Sequence, residues 1–272
     1  MKSTRDRRAR PKASSITDLF TMPTLPENTF FDINKFPTTE GIILMGISMN
    51  RIGNIQSAEK CFEYLHSLAS KIQYTDGIGM VLLYSDYLYF HSKDPARTLR
   101  DRFKDLMISH KNAFLNLLKK DQQWTHKAFS FYTFGQLFLD NSDVYQNAHT
   151  AVYDLYKKDP LFKKYVEEDC IATGHVFDEG EVHFILEEIV VFYLSQKGIL
   201  RLGNKFVTDT EKKWVLQVYP GKPLKSEVYL FQNNPLNISN QKNQYETCFY
   251  DLESRILYDY TSINIDTFNF PQ

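Results

Sequence analysis

The stretch GIILMGISMNRIGN, residues 41–54, decides the fold. Its first seven residues are apolar without alternation, the pattern of a strand covered on both faces. A polar, glycine-containing turn, SMNRIGN, follows at 48–54. Beyond it the spacing predicts a helix over 55–72, because Ala58, Cys61, Phe62, Leu65, Leu68 and Ala69 recur at intervals of three and four. A second unalternating run, GMVLLY at 79–84, reads as another buried strand. Strand, helix and strand in that order point to a parallel sheet with a helical crossover, and so to an α/β fold.

Residues 95–120 carry the clearest helical pattern. Pro95 suits the first turn, and Leu99, Phe103, Leu106, His110, Phe114 and Leu117 share one face. At about 100° per residue, Lys93, Arg97, Arg100, Lys104 and Lys111 fall within an arc of about 60°. Cations stacked in this way repel one another, and a phosphate backbone laid along the ridge would neutralise them. The bland alternative is a solvated surface stripe. Further along, AFSFYTF at 128–134 reads as a strand, and two helices over 143–158 and 161–173 are divided at Pro160. A helix is expected over 179–197, then a strand, WVLQVY, at 214–219, ended by Pro220 and Gly221. These readings divide the chain into a disordered basic arm (1–15), a single domain (16–231) and a peripheral C-terminal extension (232–272) rich in Asn, Gln and Tyr.

Composition sets outer limits. With 272 residues, 43% of them hydrophobic, the chain can build one large core or two small ones. No run reaches the roughly 18–20 apolar residues of a membrane span, and the basic N-terminus lacks the apolar stretch of a secretory signal. Three scattered cysteines without a CxxC pair fit a reducing compartment, so a cytoplasmic protein is expected. The net charge of −1 hides an asymmetry. Residues 1–12 carry six basic and one acidic side chain, and residues 93–120 carry eight basic and three acidic. A nearly neutral chain with two such segments can still bind a polyanion.

Ser48 follows the first strand, and active groups of parallel sheets gather at the carboxyl ends of strands. There a serine nucleophile can be served by backbone N–H groups that stabilise an oxyanion; a turn or capping serine is the commoner use. GISMN is not the GxSxG elbow, and no histidine is marked as a triad partner. Glu181, His183, Glu187 and Glu188 cluster without a zinc spacing, so no metal site is expected. Phosphate-binding loops of the GxxxxGK[ST] and GxGxxG kinds are missing, as are the HIGH and KMSKS signatures with which class I synthetases activate amino acids.

GIS at 46–48, Tyr145, the run HFILEEIVVF at 183–192 and Tyr219–Pro220, in that order, resemble the tRNA-dependent cyclodipeptide synthases. The resemblance spans roughly 40–231 and includes the basic helix. It implies a Rossmann-like parallel sheet flanked by helices, similar to the catalytic domain of class I tyrosyl- and tryptophanyl-tRNA synthetases. It also implies an aminoacyltransferase that draws on two aminoacyl-tRNAs and needs no ATP or other cofactor. The basic helix, with Lys93, Arg97, Arg100, Lys104 and Lys111, would bind tRNA.

Carried over position by position, Ser48 matches the nucleophile. It would accept an aminoacyl group, and a second aminoacyl-tRNA would yield a dipeptidyl-enzyme that cyclises to a 2,5-diketopiperazine. Glu188 matches the carboxylate that holds the α-ammonium group. It stands in an apolar run where carboxylates are costly unless they face a cavity. Tyr145 matches the tyrosine that positions the aminoacyl group, and Tyr219 the one proposed to aid proton transfer in cyclisation. Tyr219–Pro220 resembles the Tyr-Pro branch, in which the residue three after the serine varies; here it is Arg51.

One position departs from the family. Phe184 stands where a tyrosine is usual, which removes a hydroxyl from the amine-binding pair. The first side-chain pocket would be lined near Leu44, Gly46, Gln136, Val191 and Gln217, and the two glutamines would make it less apolar than a leucine or phenylalanine site. The resemblance implies no membrane partner, and it leaves room for a downstream diketopiperazine-tailoring enzyme. Two readings compete with it: a non-catalytic tRNA- or RNA-binding module of the same fold, and a serine acyltransferase or hydrolase acting on a small ester.

Overall fold

The computed structural model describes residues 41–71, 78–86, 96–121, 129–172, 177–202, 205–206, 214–238, 243 and 245–270. The basic arm at 1–15 and Lys93 lie outside them, and of Arg97 and Arg100 only the helical backbone is described.

The opening strand is β1, Gly41–Ile47, buried at every position. It is covered on both faces, which is why its sequence shows no alternation. α1 (Ala58–Lys71) leads to β2 (Ile78–Tyr84), and α2 (Ala96–Lys120) leads to β3 (Phe129–Thr133). Both crossovers give parallel pairs, with Gly46 beside Leu83 in one and Leu82 beside Phe131 in the other. The strand expected over 128–134 stops at Thr133, because a capping box starts a helix there. The Thr133 hydroxyl accepts the Gln136 amide at 3.1 Å, and the Gln136 side chain accepts the Thr133 amide at 3.2 Å. That helix is α3, Phe134–Asp140.

α4 (Ser142–Lys158), α5 (Pro160–Ala172) and α6 (Glu179–Gln196) follow. β4 (Arg201–Leu202) and β5 (Lys205–Phe206) form a small antiparallel ladder. The chain then returns to the sheet as β6, Val215–Tyr219, parallel to β1 on its free side. α7 (Lys225–Asn233) precedes β7 (Cys248–Asp251) and β8 (Ile256–Asp259). The tail that reads as a peripheral extension thus supplies two strands of the sheet, β7 parallel to β6 and β8 antiparallel to β7.

The strand order is β3-β2-β1-β6-β7-β8. The chain moves outward from β1 to one side, then crosses back and builds the other. The order reverses between β1 and β6, and in open α/β sheets the crevice for a ligand lies at that point, beyond the carboxyl ends of the strands. Two groups of helices flank the sheet. Phe114 of α2 meets Phe62 of α1 and Phe129 and Phe131 of β3. α4 to α7 pack together, with α6 against β6. This is the Rossmann-like α/β architecture.

Candidate active site

β1 ends at Ile47, and Ser48 opens the turn beyond it, half-buried. One side chain shapes that turn. Gln56 is fully buried; its Oε1 accepts the Ser48 amide at 2.8 Å and its Nε2 donates to the Gly46 carbonyl at 2.7 Å. The Ser48 amide is therefore engaged with Gln56. Gln56 is anchored in turn by α2, where His110 Nε2 donates to the Gln56 carbonyl at 3.0 Å. A carbonyl only accepts, so Nε2 carries the proton and Nδ1 accepts from the Tyr84 hydroxyl at 2.9 Å. Burial holds the His110 pKa below its ordinary value, which agrees with a neutral ring. The basic helix and the Ser48 turn thus share one hydrogen-bonded chain.

Gly46 is glycine for a steric reason. A Cβ here would stand 2.8 Å from Phe192 Cζ and 3.5 Å from Tyr219 Cδ2. The face of β1 that carries Gly46 therefore looks toward α6 and the end of β6. Three residues past Ser48, Arg51 reaches across to β6. Its Nη1 donates to the Pro220 carbonyl at 3.2 Å, and its guanidinium lies 5.3 Å from the Tyr219 ring centroid.

Between these elements lies a cavity of about 640 Å³. Glu188 and Phe192 of α6, Gln217 and Tyr219 of β6, Glu227 of α7 and Arg51 all line it. Its far wall comes from β7 and the chain beyond, including Phe249, Asp251 and Phe270. Asp251 holds the end of β6 in place, because its Oδ1 accepts the amide of Gly221 at 2.9 Å. Gly221 adopts φ +116°, a conformation that favours glycine.

The electrostatics of the cavity are set by burial. Glu188 is half-buried, and desolvation pushes its carboxyl up to about 7, against the pull of Arg51 and with a push from Asp169. Glu227 is also pushed up to about 7 by burial, even though Tyr260 donates to its Oε1 at 2.8 Å. Asp169 of α5 caps α7 from outside, accepting the amides of Lys225 and Ser226 at 3.0 and 2.8 Å. Burial raises its carboxyl to about 6.

The other expected positions lie elsewhere. Leu44 and Val191 are buried in the core and do not line the cavity. Gln136 is exposed and spends its amide in the capping box of α3. Phe184 is half-buried against the core. Tyr145 is buried in α4, with its ring edge-on to Phe138 at 5.1 Å and stacked on His149 at 6.0 Å. Neither Ser48 nor Tyr145 lines the cavity. On the basic ridge Lys104 and Lys111 are exposed, and the Lys111 ammonium stands 5.0 Å from the Phe131 ring centroid. Among the described residues, no set of three or more His, Cys, Asp or Glu side chains is placed to hold a metal, and no helix is long and apolar enough to cross a membrane.

Sequence reasoning missed Gln56, Glu227 and Asp251. Glu227 carried a usable signal, a carboxylate in front of the apolar run VYLF. Gln56 and Asp251 carried none, because their partners are set by the fold.

The molecule is an α/β protein with an acidic crevice at its topological switch point. The chain matches no protein-family model and no curated protein sequence. Its fold is similar to that of solved cyclodipeptide synthases. One from Bacillus thermoamylovorans aligns with a TM-score of 0.50 and 17% identity, over 75% of this chain and 86% of that one. One from Streptomyces noursei gives 0.45 and 15%, over 66% and 82%. A Mycobacterium tuberculosis protein, described as demonstrating that cyclodipeptide synthetases are related to type I tRNA synthetases, gives 0.46 and 12%, over 77% and 83%. At these identities the likeness is one of fold.

Proposed function

We propose that this protein is a tRNA-dependent cyclodipeptide synthase that works by acyl transfer through Ser48. The observation that carries the reading is the meeting of Glu188 and Tyr219 in one crevice at the switch point beside the Ser48 turn. The Bacillus thermoamylovorans relative in fold supports it.

The chemistry follows from the groups present. Ser48 Oγ attacks the ester carbonyl of the first aminoacyl-tRNA, and the terminal tRNA hydroxyl leaves with a proton. For a dipeptide to remain on Ser48, the next nucleophile must be the amine of the bound aminoacyl group. It attacks the ester of the second aminoacyl-tRNA and expels that tRNA. The new terminal amine then attacks the Ser48 ester, closing the six-membered ring and returning the hydroxyl. Each amine must lose a proton before it attacks. A carboxylate held near 7 by burial, as Glu188 is, can bind the ammonium and take that proton. Tyr219, at the end of β6, would relay the proton in cyclisation, and Tyr145 would position the aminoacyl group. Ester aminolysis runs downhill, so no ATP is required. Exposed Lys104 and Lys111 belong to the ridge that would hold tRNA, with Arg97 and Arg100 on the same helix. Tyr219–Pro220 with Arg51 fits the Tyr-Pro branch of the family.

The test is mass spectrometry of products made by the purified chain from a pool of aminoacyl-tRNAs, beside Ser48→Ala. A cyclic dipeptide that disappears in the variant, with a fall of at least ~10³-fold, is expected. Intact charged tRNA with no acyl adduct on Ser48 sinks the reading. Phe184, packed on the core where a tyrosine hydroxyl would be expected, favours a second reading as an RNA-binding module without turnover. That module would bind RNA with a steep salt dependence and form no adduct.

A further inference from the structure

The floor of the cavity carries one acceptor that nothing in the fold satisfies. Gln217 is 2% exposed and lines the cavity, yet its side-chain oxygen has no hydrogen-bond partner. Its amide bonds to the Glu227 carboxylate beside it. Glu227 is itself 3% exposed and lines the same cavity. The two cations of the lining are tied elsewhere. Arg51 bonds the Pro220 carbonyl, and Lys222 bonds the Asn269 carbonyl and lies over the Phe268 ring. A buried acceptor left bare costs about 1–3 kcal/mol. Around this floor the walls are apolar, with Ile189, Phe192, Leu224 and Phe249.

An apolar shaft over a bare amide oxygen and a carboxylate is the complement of a methylene chain ending in N–H donors. We propose that this cavity takes the side chain of the first amino acid and selects one that ends in a nitrogen donor: an ammonium, a guanidinium or a carboxamide. The inference rests on the synthase reading for the word "first", and on the cavity alone for the chemistry of the ligand. A volume of about 640 Å³ accommodates a side chain as long as arginine. A site built to hydrogen-bond its ligand rejects an analogue that lacks the donor much more strongly than an apolar pocket rejects one extra methylene.

Amino-acid amides test this directly, because they carry the α-ammonium group and a side chain without tRNA. Calorimetric titration of the full chain with lysinamide, argininamide and glutaminamide is set beside norleucinamide and leucinamide. At least one nitrogen-ended amide is expected to bind ~10-fold or more tightly than norleucinamide. Gln217→Leu is expected to bring that ratio to within about threefold. Equal or tighter binding of norleucinamide, binding of none of the amides, or an unchanged ratio in Gln217→Leu overturns the proposal. The product assay separates the two ideas. Cyclic dipeptides built only from apolar residues would sink this inference and leave the synthase standing. Selective binding of a nitrogen-ended amide without any cyclic dipeptide would do the reverse.

Discussion

The turn after β1 and the cavity wall beyond β6 lie at neighbouring strand ends, yet they are built by opposite means. In the turn, one side chain does the positioning over a short reach. Gln56 holds Ser48 and Gly46, eight and ten residues away. The wall is assembled from distant pieces. Asp169 caps α7, Glu188 comes from α6, Glu227 from α7, and Asp251 of β7 pins Gly221 across thirty residues. The direct hold on Ser48 thus spans eight residues, although His110 of α2 anchors Gln56 from a distance, and the cavity wall is a property of the whole fold.

The contrast can be broken at either end. The largest expected effect is on the non-local side, at Glu188. Glu188→Gln should lower diketopiperazine formation by ~10²-fold or more and flatten the limb of the pH–rate profile near 7, read by product mass spectrometry. A variant that keeps the wild-type rate and profile would remove Glu188 from the chemistry. On the local side, Gln56→Leu strands the Ser48 amide and the Gly46 carbonyl together. A loss of about 2–4 kcal/mol is expected, or ~5–10 °C in Tm. Gln56→Glu keeps the acceptor but sets a buried carboxylate oxygen against the Gly46 carbonyl, so it should not restore the wild-type Tm at neutral pH. A shift of less than about 1 °C in Gln56→Leu would mean that the turn is held by something else.

Gly46→Ala probes where the two regions touch. The new Cβ drives against Phe192, at a cost of about 1–3 kcal/mol. Phe192→Leu in the same chain should return part of that cost, and a double-mutant cycle with zero coupling would disprove the contact. The smallest effect is electrostatic. The Glu227 carboxyl sits at about 7 in the fold against an ordinary value of 4.5. Between those values the folded chain binds more protons than the unfolded one, so wild-type stability falls as pH rises from about 4.5 to 7. Glu227→Gln lacks that loss, and its stability should gain on wild type from pH 5 to pH 8 by of order 1 kcal/mol, read as a rise in relative Tm. Parallel Tm curves across that range would place the charge elsewhere.

The same division decided what could be read in advance. β1 and α2 fall almost where the apolar run and the helical spacing put them, at Gly41–Ile47 and Ala96–Lys120. Both signals are local and both faces of β1 are covered. α1 begins at Ala58, three residues late, because 55–57 belong to the turn that Gln56 organises. β7 and β8 are harder to read: each is four residues long, too short for an alternation to declare itself, although Phe249, Tyr250, Ile256 and Tyr258 are strand formers. Glu188 stood out as a carboxylate in an apolar run, and Glu227 has the same setting. The resemblance puts Gln136 in the first pocket, whereas its side-chain oxygen accepts the Thr133 amide in the cap of α3. Gln217 does line the cavity, and its bare oxygen is visible only in three dimensions.

The strand order has a consequence for the making of the protein. Met45 of β1 pairs with Val218 of β6, so about 170 residues separate the two halves of that ladder. At roughly 5–20 residues per second, a ribosome takes on the order of 10–30 s to deliver the partner. Through that interval the nascent chain presents GIILMGI with one unpaired apolar edge, a segment without a charge or a proline to blunt it. The strand that leads to Ser48 is the one that waits longest for its partner.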